Sequence, residues 1–242
     1  MKMFTFAKRN LKEFIRDPLN LAFSLGFPIV LLLLLSLIQA NIPVSLFEIE
    51  SLAPGITVFG LSFITLFSAT IISKDRKSAF LERLYTTPLK ASDFILGYTL
   101  PILPIAVSQS VICYLFAFIF GLKPDLNLVI AVLFIIPISI FYISLGLLCG
   151  SIFSDKQVGG ICGALLTNLS AWLSGIWFDL ELVGGAFKKI SYLFPFVHAV
   201  ELERSVVSGA YENVLSHLSV VLIYALITTA LAVFVFLKQM KD

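Results

Sequence analysis

The sequence predicts an all-α, polytopic membrane protein, and three observations support this fold class. Of its 242 residues, 59% are hydrophobic and only 13% are charged, whereas a soluble domain typically carries about 25% charged residues. The mean hydropathy is +1.00. Six segments lack Asp, Glu, Lys, Arg and His over about 20 residues, the length that crosses a hydrocarbon layer as a helix. We therefore expect one transmembrane domain over residues 1–242.

Six transmembrane helices are predicted from these segments, and Lys and Arg orient them. The segments are residues 19–40, 52–73, 96–121, 127–150, 158–177 and 218–237. With the N-terminus inside, the inner connections contain 13 of the 17 Lys and Arg residues and the outer ones contain 4. Positive charge concentrates on the cytoplasmic side of membrane proteins. Both termini are thus expected in the cytoplasm, and the apolar run from Leu19 to Ala40 is too long for a cleaved secretory signal.

Residues 1–18 predict an amphipathic helix lying in the membrane interface. At 100° per residue one face is apolar and the other is charged, apart from Phe6. An alternative is an ordinary positive flank that only orients the first span. The apolar residues are Phe4, Ala7, Leu11, Phe14 and Ile15, and the charged ones are Lys8, Arg9, Lys12, Glu13 and Arg16.

Residues 74–95 form a charged island with eight charges between two apolar runs. A short helix is predicted to begin at Lys77 or Ser78 and to end at Thr87-Pro88, because the residue before proline avoids the α region. Its predicted apolar face consists of Phe80, Leu81, Leu84 and Tyr85. Such a face on a cytoplasmic loop is a candidate docking surface. A solvated loop that only enforces topology is the alternative.

Residues 178–217 form the longest outer connection, and a loop of this length is uncommon without structure of its own. Val183, Phe187, Ile190 and Phe194 recur at helical spacing up to Pro195, and a second short helix is predicted from Phe196 to Gly209. The sequence therefore predicts an outer helical hairpin between the fifth and sixth spans, partly dipping into the membrane.

The sequence argues against several chemistries. Charge-free spans disfavour an intrinsic ion relay, and a chain without a Gly-Lys dipeptide has no phosphate-binding P-loop. Ser174 with His198 could form a nucleophile and base, but Ser174 has no nucleophile elbow. His198 and His217 lack the i, i+4 spacing of a helical metal site. Cys113, Cys149 and Cys162 are expected to be small apolar residues within helices. We predict no catalytic, cofactor-binding or metal-binding residues in this chain.

Three stretches carry a resemblance to a known family. Residues 74–89, KDRKSAFLERLYTTPL, resemble a charged stretch commonly written E-R-E-x-G-T-L-E-x-L-x-x-T-P. Residues 173–181, LSGIWFDLE, are similar to L-S-G-x-x-F-P, and residues 193–211 are similar to N-P-x-x-Y-x-x-x-x-x-R-x-x-x-x-G through Pro195, Arg204 and Gly209, with His198 at the aromatic position. The chain thus resembles the permease subunits of type-2 ATP-binding-cassette (ABC) exporters, which include drug, polysaccharide and lipid exporters.

The resemblance implies a homo- or heterodimer of permeases in the cell membrane, joined to two ATPase subunits that hold ATP and Mg²⁺. It implies a coupling helix that docks on the ATPase and an N-terminal helix that helps to transmit motion. The uncharged walls expected for the path favour a lipophilic or amphipathic cargo over small ions: a drug (multidrug efflux), peptide, lipid or glycan-lipid. An ion-gradient-driven carrier or channel-like protein is the alternative. The implied docking residues are Phe80, Leu81, Glu82, Arg83, Leu84, Tyr85, Thr87 and Pro88.

Overall fold

Every element in the part of the chain that the structure describes is a helix. The computed structural model describes residues 2–78, 80–85 and 91–239. The first half contains α1 (Lys2–Arg16), α2 (Pro18–Leu21), π1 (Ala22–Gly26), α3 (Phe27–Gln39), α4 (Ile49–Lys77), α5 (Phe80–Tyr85) and α6 (Ala91–Ile119). The second half contains α7 (Leu126–Ile152), α8 (Asp155–Val158), π2 (Gly159–Leu166), α9 (Thr167–Leu173), α10 (Leu180–Val183), α11 (Gly185–Ser191), α12 (Pro195–Ser208) and α13 (Tyr211–Gln239). The predicted all-α class is confirmed.

Five helical segments within the described residues are long and apolar enough to cross a membrane. They are Pro18–Gln39, Ile49–Lys77, Ser92–Ile119, Leu126–Ile152 and Tyr211–Lys238, and they coincide with five of the six predicted spans. The remaining predicted span, residues 158–177, overlaps the α8–π2–α9 segment, which includes Asp155 and Lys156 and ends at Leu173, four residues before the predicted end. That sixth span stays a prediction.

The first span is separated from α1 by a capped break at Asp17. Asp17 is extended (φ −92°, ψ 100°), as expected for a residue that precedes proline. Its carboxylate accepts hydrogen bonds from the backbone N–H groups of Leu19 and Asn20, while Pro18 takes the first helical position. The chain therefore changes direction between α1 and α2.

Helix α4 is the centre of the bundle, and α7 packs tightly against it. Nearly every residue of α4 from Leu52 to Asp75 is buried. Gly146 and Gly150 lie one turn apart on α7, and a Cβ atom there would lie 2.5 Å from the Thr65 carbonyl oxygen or 2.6 Å from the Ala69 one. Only glycine permits this approach of two helix backbones, a common device in membrane bundles.

The segment predicted as an outer hairpin differs from expectation in three ways. Gly184 (φ 60°) separates α10 from α11, which begins at Gly185 (φ 58°), so Val183 and Ile190 do not share one helix. These backbone angles are in the region that favours glycine. Helix α12 also packs among α4, α7 and α13 with most of its side chains buried, and residues 211–217 belong to α13. Pro195 starts α12 at its first helical position.

Candidate functional site

The charged island lies at a junction of four elements: α1, the end of α4, α5 and the start of α6. Helix α1 turns a face made of Phe6, Ala7, Asn10 and Phe14 toward the bundle, and all four are buried. Phe6, which departs from the predicted pattern, is thus part of the buried face. Phe4 and Ile15, predicted to lie with Ala7 and Phe14, are 68% and 53% exposed instead. The side of α1 that packs on the bundle and the side that carries Phe4 and Ile15 both contain apolar residues. Helical periodicity alone therefore assigns all of them to a single face.

Phe6 fills a recess in α6 that a glycine opens. Its ring makes edge contacts with Tyr98 (ring centroids 4.9 Å apart) and Phe94 (5.8 Å). A Cβ atom at Gly97 would overlap the Phe6 ring. The side-chain amide of Asn10 donates to the Gly97 carbonyl oxygen at 3.0 Å. An aromatic contact and a buried hydrogen bond therefore hold α1 on α6.

Arg9 and Asp75 connect α1 to the end of α4. The guanidinium donates to both carboxylate oxygens, at 2.6 and 2.7 Å, and the Tyr98 hydroxyl donates to the same carboxylate at 2.8 Å. Asp75 is 2% exposed. Arg9 also pairs with Glu13 at 2.6 Å, and its guanidinium carbon lies 4.4 Å from the centre of the Phe80 ring. We call the trio Arg9, Asp75 and Tyr98 the clasp; it ties together α1, α4 and α6.

Helix α5 is present where the short helix was predicted, but part of its apolar face is turned inward. Leu81 is 2% exposed and Phe80 is half-buried against Phe6 and Arg9. The expectation of an exposed face therefore fails for these two residues, because α5 packs against the end of α4 and Phe80 lies on Phe6 and Arg9 of α1. Arg83 is exposed. Glu82, Leu84 and Tyr85 lie on α5, and Thr87 and Pro88 lie outside the described residues.

The remaining predicted residues of α1 lie at its surface. Lys8, Lys12 and Arg16 are exposed and Leu11 is half-buried. The end of α4 contributes Lys74, also exposed, and Arg76, which donates to the carbonyl oxygens of Gly150 at 2.8 Å and Phe153 at 3.3 Å. At this end of the bundle, some cations therefore bond to neighbouring segments, and others remain exposed on the surface.

At the opposite end of α4, Arg204 of α12 connects three segments. Its guanidinium donates to the carbonyl oxygens of Ser51 at 3.2 Å and Gly175 at 3.1 Å and to the Glu201 carboxylate at 2.9 Å. Gly209 ends α12 in the left-handed conformation, φ 76°. The outer-motif residues Pro195, Arg204 and Gly209 are therefore the start, an anchor and the end of one helix.

His198 and His217 meet although they are not spaced as a helical pair. Their Nδ1 atoms are 3.0 Å apart, and His198 Nε2 lies 3.0 Å from the Tyr192 carbonyl oxygen. The Ser174 hydroxyl donates to the Ala171 carbonyl oxygen instead, at 3.1 Å. Both ring nitrogens of His198 are therefore engaged away from Ser174, which contradicts a Ser174–His198 pair. Across the described residues, no group of three His, Cys, Asp or Glu residues is arranged to hold a metal ion.

Glu203 is a buried carboxyl group that sequence patterns missed. It is 0% exposed, and the Tyr114 hydroxyl donates to one of its oxygens at 2.7 Å, while the other has no partner among the described residues. Burial raises the pKa of Glu203 to about 8, against a smaller lowering by the Tyr114 hydrogen bond. Glu203 lies on α12, which the sequence assigns to an outer connection. The sequence signal of its burial is the presence of apolar residues three or four positions away, at Val200, Val206 and Val207.

Comparison with known proteins agrees with the resemblance that the three sequence stretches indicate. The family model described as ABC-2 type transporter matches residues 1–208. No curated protein matches the chain. The match includes the clasp, α5, Glu203 and Arg204, and it ends before α13.

Proposed function

The chain belongs to the ABC-2 type transporter family, and from that premise we propose that it is the membrane-spanning permease subunit of an ATP-driven exporter. The chain would form the translocation path, and a separate ATPase subunit would bind ATP and Mg²⁺. The observation that carries the proposal is the contact of α5 with the clasp. A force applied to α5 would reach three long helices through Phe6, Arg9 and Asp75.

The proposed orientation places both termini and the clasp in the cytoplasm. It rests on the distribution of Lys and Arg, 13 inside and 4 outside. The α8–π2–α9 segment is proposed as the sixth span, because it returns the chain to the end of the bundle where Arg204 contacts the Gly175 carbonyl. Helices α10 to α12 then belong to the outer half of the protein.

ATPase docking is proposed at α5, with α1 as the second element that moves. Phe80 and Leu81 would hold α5 on the permease, while Glu82, Arg83, Leu84 and Tyr85, followed by Thr87 and Pro88, would face the ATPase. An isolated helix of six residues is too short to be stable in water. Its packing on Phe6 and Arg9 therefore supports a role as a fixed contact.

A second permease copy, identical or paralogous, is proposed to complete the path. The charge-free faces of the long helices favour lipophilic or amphipathic cargo over small ions. That class includes drugs, peptides, lipids and glycan-lipids, carried outward across the cell membrane.

The docking proposal is tested by co-purification. The tagged full-length chain is isolated from its native membrane in mild detergent as wild type and as the variants Glu82→Ala and Leu84→Asp. We expect the wild type to retain, in equal amount, a subunit with a P-loop and ATPase activity, and both variants to lose at least half of it.

Matched controls come from the opposite end of the bundle. Glu212→Ala removes an exposed carboxylate and Leu182→Asp changes a leucine that is 83% exposed. Both controls should retain the ATPase fully. Retention of the ATPase at wild-type yield by the two α5 variants would overturn docking at α5, and active transport without any such subunit would overturn the ATP-driven mechanism.

Glu203 is the observation that favours a second candidate, a carrier driven by an ion gradient. A buried carboxyl group with a raised pKa can bind and release a proton within the bundle. Reconstituted vesicles separate the two candidates. A carrier would transport in response to a pH gradient without ATP and lose this in Glu203→Gln, whereas an ATP-driven permease would need its ATPase at every pH.

A further inference from the structure

A basic groove runs between α1, the start of α2 and the end of α4. It has a volume of about 830 Å³. Its lining cations come from two separate elements, and its lining carboxylates are Glu13 and Asp17. The cations are Lys8, Arg9, Lys12 and Arg16 from α1 and Lys74 from α4. One concave surface therefore collects five positive charges and two negative ones.

Both carboxylates of the groove already have partners. Glu13 pairs with Arg9 at 2.6 Å, and the Asp17 carboxylate accepts the two N–H groups that start α2. Arg9 is further neutralised by Asp75. Among the described residues, Lys8, Lys12, Arg16 and Lys74 form no ion pair. Four cations thus line the groove without a counter-charge from the part of the chain that the structure describes.

Exposed apolar side chains border this charge. Ile15 is 53% exposed and lies next to Arg16, and Leu19 is 65% exposed just after Pro18, where the first span begins. Phe4, 68% exposed, lies on the same side of α1 as Ile15. Cations followed by exposed apolar side chains at the start of a transmembrane span offer few contacts to a soluble partner. An anionic lipid matches this arrangement, because its charged headgroup is followed by acyl chains.

Helix α1 is held so that the groove stays on its free side. Phe6, Asn10 and Phe14 face the bundle, and α5 contacts α1 at Phe6 and Arg9. Arg9 therefore lines the groove and also contacts Phe80 of α5, whereas Lys12 and Arg16 are exposed in the groove.

We propose that this groove binds the phosphate of an anionic phospholipid, with Lys12, Arg16 and Lys74 contacting the phosphate and Ile15 and Leu19 lying along an acyl chain. The lipid bridges α1 and the end of α4 next to the clasp. Each cation near an anionic membrane surface contributes on the order of 1 kcal/mol, so three together change affinity on the order of 100-fold. Binding here requires neither an ATPase nor cargo, so it goes beyond the proposed function.

The test uses the purified full-length chain in detergent, without any partner. Short-chain phosphatidylglycerol, phosphatidylcholine of the same chain length and inorganic phosphate are titrated separately, and the melting temperature and the bound lipid, by native mass spectrometry, are measured. We expect saturable binding of phosphatidylglycerol alone. In the triple variant Lys12→Gln, Arg16→Gln, Lys74→Gln this binding should weaken on the order of 100-fold.

A matched triple variant controls for loss of charge. Lys123→Gln, Lys156→Gln and Lys189→Gln remove three exposed lysines outside the groove, and binding should stay within about twofold of wild type, a change of less than 1 kcal/mol. Equal binding of the two lipids, or equal weakening in both triple variants, would overturn the proposal. Saturation by inorganic phosphate at the same concentration would overturn the lipid as the occupant.

Discussion

The guanidinium of Arg9 and the carboxylate of Asp75 form two hydrogen bonds, 2.6 and 2.7 Å long, between residues 66 positions apart in the sequence. Asp75 is buried and receives a third bond from Tyr98. A two-bond contact of this kind fixes direction as well as distance. The N-terminal helix is therefore held in one orientation relative to the end of α4, which is the end that leads into α5.

Arg9→Ala is expected to destabilise the protein by about 1–3 kcal/mol, because it leaves a buried carboxylate whose remaining side-chain partner among the described residues is Tyr98. Unfolding in increasing SDS, followed by circular dichroism, measures the change. Lys12→Ala on the same helix is the control and should change stability by less than about 0.5 kcal/mol.

The double variant Arg9→Ala, Asp75→Asn tests whether the pair is the cause. Asparagine at position 75 has no charge for Arg9 to neutralise. The double variant should therefore lose less free energy of unfolding than the two single variants added together. Strict additivity would show that Arg9 stabilises the protein through other contacts.

Gly97→Ala is expected to push α1 off α6, because its Cβ atom would overlap the Phe6 ring. Trypsin cleavage at Lys8, Arg9 and Lys12 measures this release, and we expect the cleavage rate to rise several-fold. Gly159→Ala, where nothing lies within 4 Å of the added atom, is the matched control. In the double variant Phe6→Ala, Gly97→Ala the added methyl group has room. Helix α1 should still be cleaved rapidly, because the Phe6 ring contacts with Phe94 and Tyr98 are lost.

Glu203 should make stability depend on pH between about 4.5 and 8. Burial raises its folded-state pKa from 4.5 to about 8, so in this window the folded state holds a proton that the unfolded state has lost. The stabilisation that comes from protonated Glu203 is therefore fully present at pH 4.5 and is lost as the pH rises to 8. The melting temperature of the wild type relative to Glu203→Gln should fall from pH 5 to 8 and then level off.

Tyr114→Phe provides the check on this pH dependence. The Tyr114 hydroxyl lowers the pKa of Glu203, so its removal should extend the fall of stability to higher pH. A difference between wild type and Glu203→Gln that stays constant from pH 5 to 9 would contradict a buried titrating carboxyl group.

Arg204→Lys should be destabilising although charge is kept. The guanidinium reaches the carbonyl oxygens of Ser51 and Gly175 and the Glu201 carboxylate together, and an ammonium group cannot match that planar arrangement. We expect a loss of about 1–2 kcal/mol in SDS unfolding, corresponding to one or two lost hydrogen bonds. Lys189→Arg, on the exposed surface of α11, should be neutral; equal stability of both variants would show that charge alone suffices at position 204.

The sequence by itself determined the all-α class, five of the long apolar helices, the short helix at the charged island and the family. Each of these depends on local properties: an apolar run long enough to cross a membrane, a proline that ends or starts a helix, or a motif of fixed spacing. Pro195 and Gly209, for example, bound α12 through backbone angles that are preferences of the residues themselves.

Only the tertiary structure decided which side chains of those helices face protein. Phe6 and Phe4 are identical residues two positions apart, yet one is 5% and the other 68% exposed, because a glycine on α6 receives the first. Glu203 and Asp75 are charged residues that hydropathy assigns to loops, and partners 89 and 66 positions away bury them. Helical periodicity uses the sequence of a single helix, whereas burial depends on neighbours from distant parts of the chain.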